Sequence, residues 1–537
     1  MNRKGNTMRR GLPSYAVAWL LLLALFDSAW AQKHGSILRM YSPGSPGNMS
    51  PLESPTIETE LPMMGVFNGL VVFDQHGKQN SLQSIVPDLA TEWSWSEDGT
   101  ELTFKLRSDV KWHEGKPFTA RDVRCSWELR LDTAPEKLRL NFQKSAFYNL
   151  VSVTTKGNYE VTFHLKRPQP AFLMLLAGGF SAVTPCHVSP ADMRQHPIGT
   201  GPFKFVEFKP NESITVTRNP DYWKKDRPYL DGIEYTIIRD PSTALLAFVP
   251  GKFDMTFPYN LSVTEFNDLK KQVPEANCEL APSGGVNRHL LINRDKPPFN
   301  NPDLRRAMAL SIDRKAFVDI LTQGQGDIGG VLQPLPGGLW GMQADEVVKL
   351  PGYDPDVHKS REEARRLMWK VDYGPDKKLT LKVTPRDWNI YRDPAVLLID
   401  QLKHVYIDGE LELIDTPQFF PKIVRKDYTV ALNLQTSGPD PDPILHLFYG
   451  YGASLNWDGY CNPDVDKLID QQSREADAVK RKQLLWTIEH KLAGDFVRPI
   501  IYYSRGGTCE RPYVKGLTIM INSVFNGWRM EDAWLDK

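Results

Sequence analysis

Two arginines and two aromatic residues crowd the stretch TPRDWNIYRDPAV, from Thr384 to Val396. Arg386 and Arg392 carry planar, permanently charged forks that can grip a carboxylate or another anion through paired hydrogen bonds. Trp388 and Tyr391 supply flat faces that stack on an apolar group or wall it in. That chemistry is recognition, and a search for catalysis finds little to set against it. There is no HExxH, no P-loop and no GxSxG nucleophile elbow. Gly324-x-Gly326-x-x-Gly329 fits a dinucleotide fingerprint, but it follows a helical pattern and runs into GVLQPLPGG, where no helix can present its N-terminus to a pyrophosphate. It reads as a loop. His113-Glu114, and His446 near Asp442, are isolated and lack the paired spacing of a metal site. The sequence therefore predicts a binding protein, with no enzymatic activity, no cofactor and no metal.

The elements around the loop suit that task. LTLKV alternates as a half-buried strand and AVLLIDQL continues as a helix, so the loop occupies the strand-to-helix junction where open α/β sheets hold ligands. Elsewhere SILRMY reads as a strand, and IETELPMMGVFNG as a helix ending near Gly69, followed by a short strand. Leu102, Phe104 and Leu106 alternate with polar residues, and Thr119 is placed to cap a helix carrying Val123 and Trp127. A helix closed near Gly251 should lead into a strand over Phe253–Phe257. One amphipathic helix should run through NPDLRRAMALSIDRKAFVDIL, with Leu304, Met308 and Ile312 four apart. SREEARRLMWK is a solvated face over Ala364, Leu367 and Met368. Helices and strands alternate throughout, which predicts α/β domains.

Arg3, Lys4, Arg9 and Arg10 precede an apolar run from Ala16 to Phe26 that closes on Ala29-Trp30-Ala31. This is the pattern of a secretory signal peptide cleaved after Ala31, and the run is too short to span a membrane. No cysteine follows the expected cleavage point to carry a lipid, so the mature protein is expected to be free in the periplasm. Removing residues 1–31 leaves 506 residues with 61 basic against 64 acidic groups, a net charge of −3 that argues against nucleic acid as a partner. Cys125, Cys186, Cys278, Cys461 and Cys509 are too widely spaced for a CxxC motif. One or two disulfides fit an oxidising compartment, with at least one thiol left over, and the pairing cannot be read from sequence.

Several motifs stand in a recognisable order: Pro87-Asp88-Leu89-Ala90, Trp93, Lys111-Trp112-His113-Glu114-Gly115, Gly199-Thr-Gly-Pro202, Asn219-Pro-Asp-Tyr-Trp223, Pro228-Tyr-Leu-Asp-Gly232 and PPFNNPDLRRAMALSIDR. The chain resembles, over essentially its mature length, the family-5 extracellular solute-binding proteins, which include the dipeptide-, oligopeptide- and nickel-binding receptors of ABC importers. The resemblance implies an α/β, two-lobed periplasmic-binding-protein fold of type II with an extra domain inserted in the first lobe. Mapped here, the first lobe is 32–80, 184–283 and 504–537, the insert is 81–183, and the remaining lobe is 284–503.

It also implies where a ligand sits. The 386–392 loop becomes one cleft wall, and Thr56 and Glu58 the opposite one. Asn456, Trp457 and Tyr460 resemble a cleft-lining loop. Many peptide-binding relatives carry an aspartate for the ligand's α-ammonium three positions before the Asp440-Pro441-Asp442 triplet; here that position is Ser437, with Asp440 as the possible substitute. The function implied is a monomeric receptor that captures a peptide between its lobes and hands it to an ABC permease. Because Ser437 lacks the charge, a non-peptide polar solute of opine-like or glycan-derived type is the alternative, with a nickel receptor and a secreted hydrolase ranked below it.

Overall fold

The computed structural model describes residues 1, 32–282, 285–335, 337–436, 438–521 and 528–537. Residues 2–31 of the expected signal peptide lie outside these. Among the described residues no helix is long and apolar enough to cross a membrane.

The first lobe is built on a four-stranded sheet in the order Ile37–Ser42, Gly232–Ile237, Ser213–Arg218, Phe203–Lys209. The outer pair Ile37–Ser42 and Gly232–Ile237 is parallel and the other pairings are antiparallel. The Gly199-Thr-Gly201 lead-in to this sheet has a steric cause. A Cβ on Gly199 would lie 1.9 Å from the Val66 carbonyl oxygen, and one on Gly201 would lie 2.5 Å from that of Gly65. The close approach lets the backbone N–H groups of Gly201 and Phe203 donate to Val66 and Gly65, each at 2.9 Å. It also ends the preceding helix early: the helix is Ile57–Met64 rather than reaching Gly69, because those carbonyls are taken by strand-like pairing. The aromatic elbow packs between units. The Tyr222 hydroxyl donates to Glu531 at 2.6 Å, and Arg107 of the inserted domain lies 4.3 Å above the Trp223 ring.

The inserted domain is an antiparallel sheet ordered Ala90–Trp95, Glu101–Leu106, Glu160–Leu165, Leu150–Lys156. Its helix, Ala120–Leu131, starts at Thr119, which forms a capping box with Asp122. Leu70, Val71 and Phe73, mapped to the first lobe from sequence, belong to this domain's core, because strand Val71–Phe73 pairs with Ile85–Pro87.

The remaining lobe holds a five-stranded sheet ordered Ile407–Leu411, Leu379–Pro385, Val430–Thr436, Val286–Ile292, Ile500–Ser504. The expected single helix after Asn301 is two, Pro302–Ser311 and Arg314–Thr322. Asp313 breaks it by capping the second: its carboxylate accepts from the Ala316 N–H at 3.0 Å, while its own N–H donates to Gln401 at 2.7 Å. The strand expected over Phe253–Phe257 is reduced to bridges from Met255 to Met40 and Glu510. Ala364 and Met368 are buried beneath the charged helix Val357–Lys370, with Leu367 partly buried against the same core. The chain enters this lobe between Leu280 and Val286 and leaves it between Ser504 and Gly507.

Cysteine pairing is resolved by the fold. Cys278 and Cys509 are register partners on adjacent strands and form one disulfide, Cys125 and Cys186 form the other, and Cys461 is free and exposed. Replacing Cys125 and Cys186 together by serine is expected to cost about 2–4 kcal/mol of stability, because the unfolded chain regains the freedom that the crosslink removed. Urea denaturation of the double variant beside the parent measures this, and coincident curves would contradict it.

Candidate functional site

Where the three sheet units meet, a cavity of about 600 Å³ opens, within the size range of small-ligand sites. The first lobe contributes Thr56, Glu58 and Tyr259, the inserted domain Phe142 and Phe180, and the remaining lobe Arg288, Arg386, Trp388, Tyr391, Phe420 and Trp457.

Its polar centre is a charge pair across the lobes. Arg386 Nη2 donates to Glu58 Oε1 at 2.6 Å, and the two side chains are 3% and 1% exposed. Glu58 is brought there by helix Ile57–Met64, which begins at Thr56; Arg386 stands at the end of strand Leu379–Pro385. The guanidinium is heavily satisfied. It also donates from Nε and Nη2 to Thr416 at 3.1 and 2.7 Å, and from Nη1 to the Tyr391 hydroxyl, while Tyr391, Trp388 and Phe420 flank its faces. Burial works to discharge Arg386, but Tyr391 and Glu58 outweigh it and hold its proton more tightly than usual. Burial likewise pushes the Tyr391 hydroxyl up, so it stays neutral. Among the described residues Glu58 Oε2 has no hydrogen-bond partner.

The walls are aromatic. Phe420 lies 5.8 Å from Trp457 and Phe142 lies 5.6 Å from Phe180, measured between ring centres. The Trp457 indole N–H is buried without a partner among the described residues. Such surfaces bind flat or apolar groups and leave the few polar atoms to set orientation.

The sequence-derived candidates divide. Thr56, Glu58, Arg386, Trp388, Tyr391, Asp440 and Trp457 line the cavity. Arg392 does not: the expected loop shrinks to 386–388 because the helix already starts at Asn389 and runs to Leu402, and Arg392 stands on it, exposed and paired with its neighbour Asp393 at 3.3 Å, so the two arginines do not converge on one anion. Asn456 and Tyr460 also stand outside the lining. Asn456 stitches its own loop, donating to the Gly450 and Tyr460 carbonyls at 3.1 and 2.7 Å, and the Tyr460 hydroxyl donates to Asp495 at 2.7 Å. Asp440 reaches the cavity but is already engaged, accepting from Arg481 at 2.7 and 2.6 Å in a two-pronged buried pair. Ser437 lies outside the described residues. Trp223, in the elbow, is not part of the lining.

Sequence reasoning passed over Arg288, Phe142, Phe180 and Phe420. The three phenylalanines carry no local signal, since an apolar residue in a helix or loop reads as core. Arg288 does leave a trace, a charged residue inside the strand VNRHLLI that is otherwise apolar on one face.

Beside the cavity the inserted domain and the third unit are fastened. Gln169 donates to Asp442 at 2.6 Å, Ser145 and Ser454 exchange hydrogen bonds, and the Tyr148 ring stacks on His446 with centres 3.5 Å apart. Burial opposes ionisation of Asp442, yet His446, Arg481 and Gln169 overcome it and hold its carboxyl at about 2. His446 packs here instead of facing the cavity, and among the described residues no group of three or more His, Cys, Asp or Glu is placed to hold a metal.

Residues 84–456 match the profile of the bacterial extracellular solute-binding proteins, family 5. Di/tripeptide-binding protein 1 of Pseudomonas aeruginosa is 27% identical over 88% of this chain and 90% of its own. Two solved structures superpose over 94% of this chain and 99% of theirs. One is Helicobacter pylori DppA with the peptide STSA, at a TM-score of 0.83 and 22% identity. The other is AgaA of A. tumefaciens R10 with agropinic acid, at 0.81 and 23%.

Proposed function

The chain belongs to family 5 of the bacterial extracellular solute-binding proteins, binding proteins of the two-lobed α/β type II fold and not enzymes, and from that premise we propose that it is a periplasmic receptor for a peptide-like solute. The solute is taken between the lobes and delivered to the membrane permease of an ABC importer. The observation that carries this reading is the cavity itself, with Glu58 of one lobe joined to Arg386 of the other inside an aromatic wall. A solute that fills such a space adds contacts to both lobes at once and so favours the closed arrangement over an open one. Aromatic walls tolerate varied side chains, as a peptide receptor requires. The relatives named for di- and tripeptide binding support the class.

A second reading, a non-peptide polar solute such as an opine-like compound, is favoured by Asp440. Its carboxylate is occupied by Arg481 and is a poor partner for a free α-ammonium.

Native mass spectrometry of the mature protein, purified without refolding, separates the two. A mass excess released as peptides on denaturation is the expected result. A released non-peptide compound would overturn the first reading in favour of the second.

A further inference from the structure

The charges around the cavity nearly cancel in pairs. Glu58 neutralises Arg386, Asp440 takes Arg481, Asp327 holds Arg505 at 2.8 Å, and Asp393 holds Arg392 at 3.3 Å. Arg288 is different. It lines the cavity and is 6% exposed, yet among the described residues no carboxylate comes within ion-pairing distance of it. Its Nη1 donates to the Ser504 hydroxyl and, at 3.4 Å, to the Val286 carbonyl, and Tyr502 supports its plane at 5.5 Å from the ring centre. Those contacts orient the guanidinium without discharging it. Nε has no hydrogen-bond partner, and Nη2 makes no hydrogen bond to the described residues. The side of the fork formed by Nε and Nη2, which a carboxylate pairs with through two parallel bonds, is therefore unsatisfied.

A buried cation without a counter-charge is costly, and the cost is removed when a partner of opposite sign arrives. Among the described residues the one lining carboxylate without an ion-pair partner is Glu265, which is half-buried and spends Oε2 on the Ser262 N–H at 2.7 Å as a helix cap. The cavity is thus short of one negative charge at Arg288.

Resting on the peptide-like reading above, we infer that Arg288, and not the neutralised Arg386, anchors the ligand's carboxylate, so that the receptor selects free acids over their amides. Ser504, which also lines the cavity, holds the guanidinium in place through Nη1 and leaves the Nε and Nη2 side to the ligand. The sequence-derived arginine pair, 386 and 392, then has no direct part in reading that charge.

Calorimetric titration with matched di- and tripeptides, as free acids and as C-terminal amides, tests the inference. The parent protein should bind the acids about 100-fold more tightly than the amides. In Arg288→Gln the acids should weaken far more than the amides, which lose only a hydrogen bond to a neutral group, so the preference collapses to within a few-fold. Arg288→Lys, which keeps the charge and loses the fork, should fall between. Equal binding of acids and amides by the parent overturns the inference and leaves the peptide reading standing; this arm does not depend on any variant folding. An acid preference that survives in Arg288→Gln also overturns it. Binding of neither series overturns the peptide reading, and the inference stated for that ligand class falls with it.

Discussion

Arg386→Ala should abolish tight ligand capture, weakening affinity by roughly 150- to 5000-fold. The reason lies less in a lost ligand contact than in what stays behind. Glu58 is 1% exposed, and Arg386 is its charged partner at 2.6 Å. Removing the guanidinium leaves a buried carboxylate with no counter-charge, a defect that costs about 3–5 kcal/mol. The two residues sit on different lobes, so the molecule can escape that cost by separating them and hydrating Glu58. The closed arrangement is penalised, and a ligand that needs it binds more weakly by the same free energy. Small-angle scattering should show the variant more expanded than the parent under conditions where the parent is compact. Glu58→Gln combined with Arg386→Ala should recover part of the loss, because the stranded charge is gone, and the non-additivity measures the coupling. Affinity within twofold of the parent in the single variant would contradict this account.

Glu489 governs a second large effect, one that follows pH. It sits on the helix Ala478–Gly494, is 2% exposed, and accepts from the Val331 and Leu332 N–H groups at 2.7 and 3.4 Å. Its other oxygen has no partner among the described residues. Burial raises its carboxyl to about 8, with the two backbone donors pulling the other way. Between an unfolded value near 4.5 and the folded value near 8, the folded protein holds a proton that the unfolded chain has released. Stability contributed by this group is therefore complete below about pH 4.5 and is lost as pH rises through 8, a swing of about 5 kcal/mol. Glu489→Gln keeps an acceptor for the two N–H groups and has no charge to release. Urea unfolding at pH 5 and pH 8.5 should show a fall smaller for the variant than for the parent by about 4 kcal/mol, the part of that swing lying between the two pH values. Parallel pH profiles would contradict it.

Much of the frame is legible in the residues because it depends on short-range rules. Alternation at Leu102, Phe104 and Leu106, the cap at Thr119, and the strand–loop–helix order around Arg386 are set by neighbours a few positions apart, and the structure has each of them. The misreadings have long-range causes. The helix after Thr56 stops at Met64 because the chain at Gly199–Phe203 competes for its carbonyls, and the helix after Asn301 breaks because Asp313 finds Gln401. Neither partner is visible within a sequence window.

The motifs from Pro87-Asp88 through PPFNNPDLRRAM, read alone, settle the family and the kind of work, binding without chemistry. Tertiary structure decides which charges are free to do that work. Arg386 and Glu58 stand 328 positions apart and cancel. Asp440 is held by Arg481 and Arg392 points to Asp393, while Arg288, which looks like a strand residue on paper, is left in the cavity with no counter-charge among the described residues. Electrostatic pairing falls off with distance in space and is indifferent to distance along the chain, so only the folded arrangement assigns it.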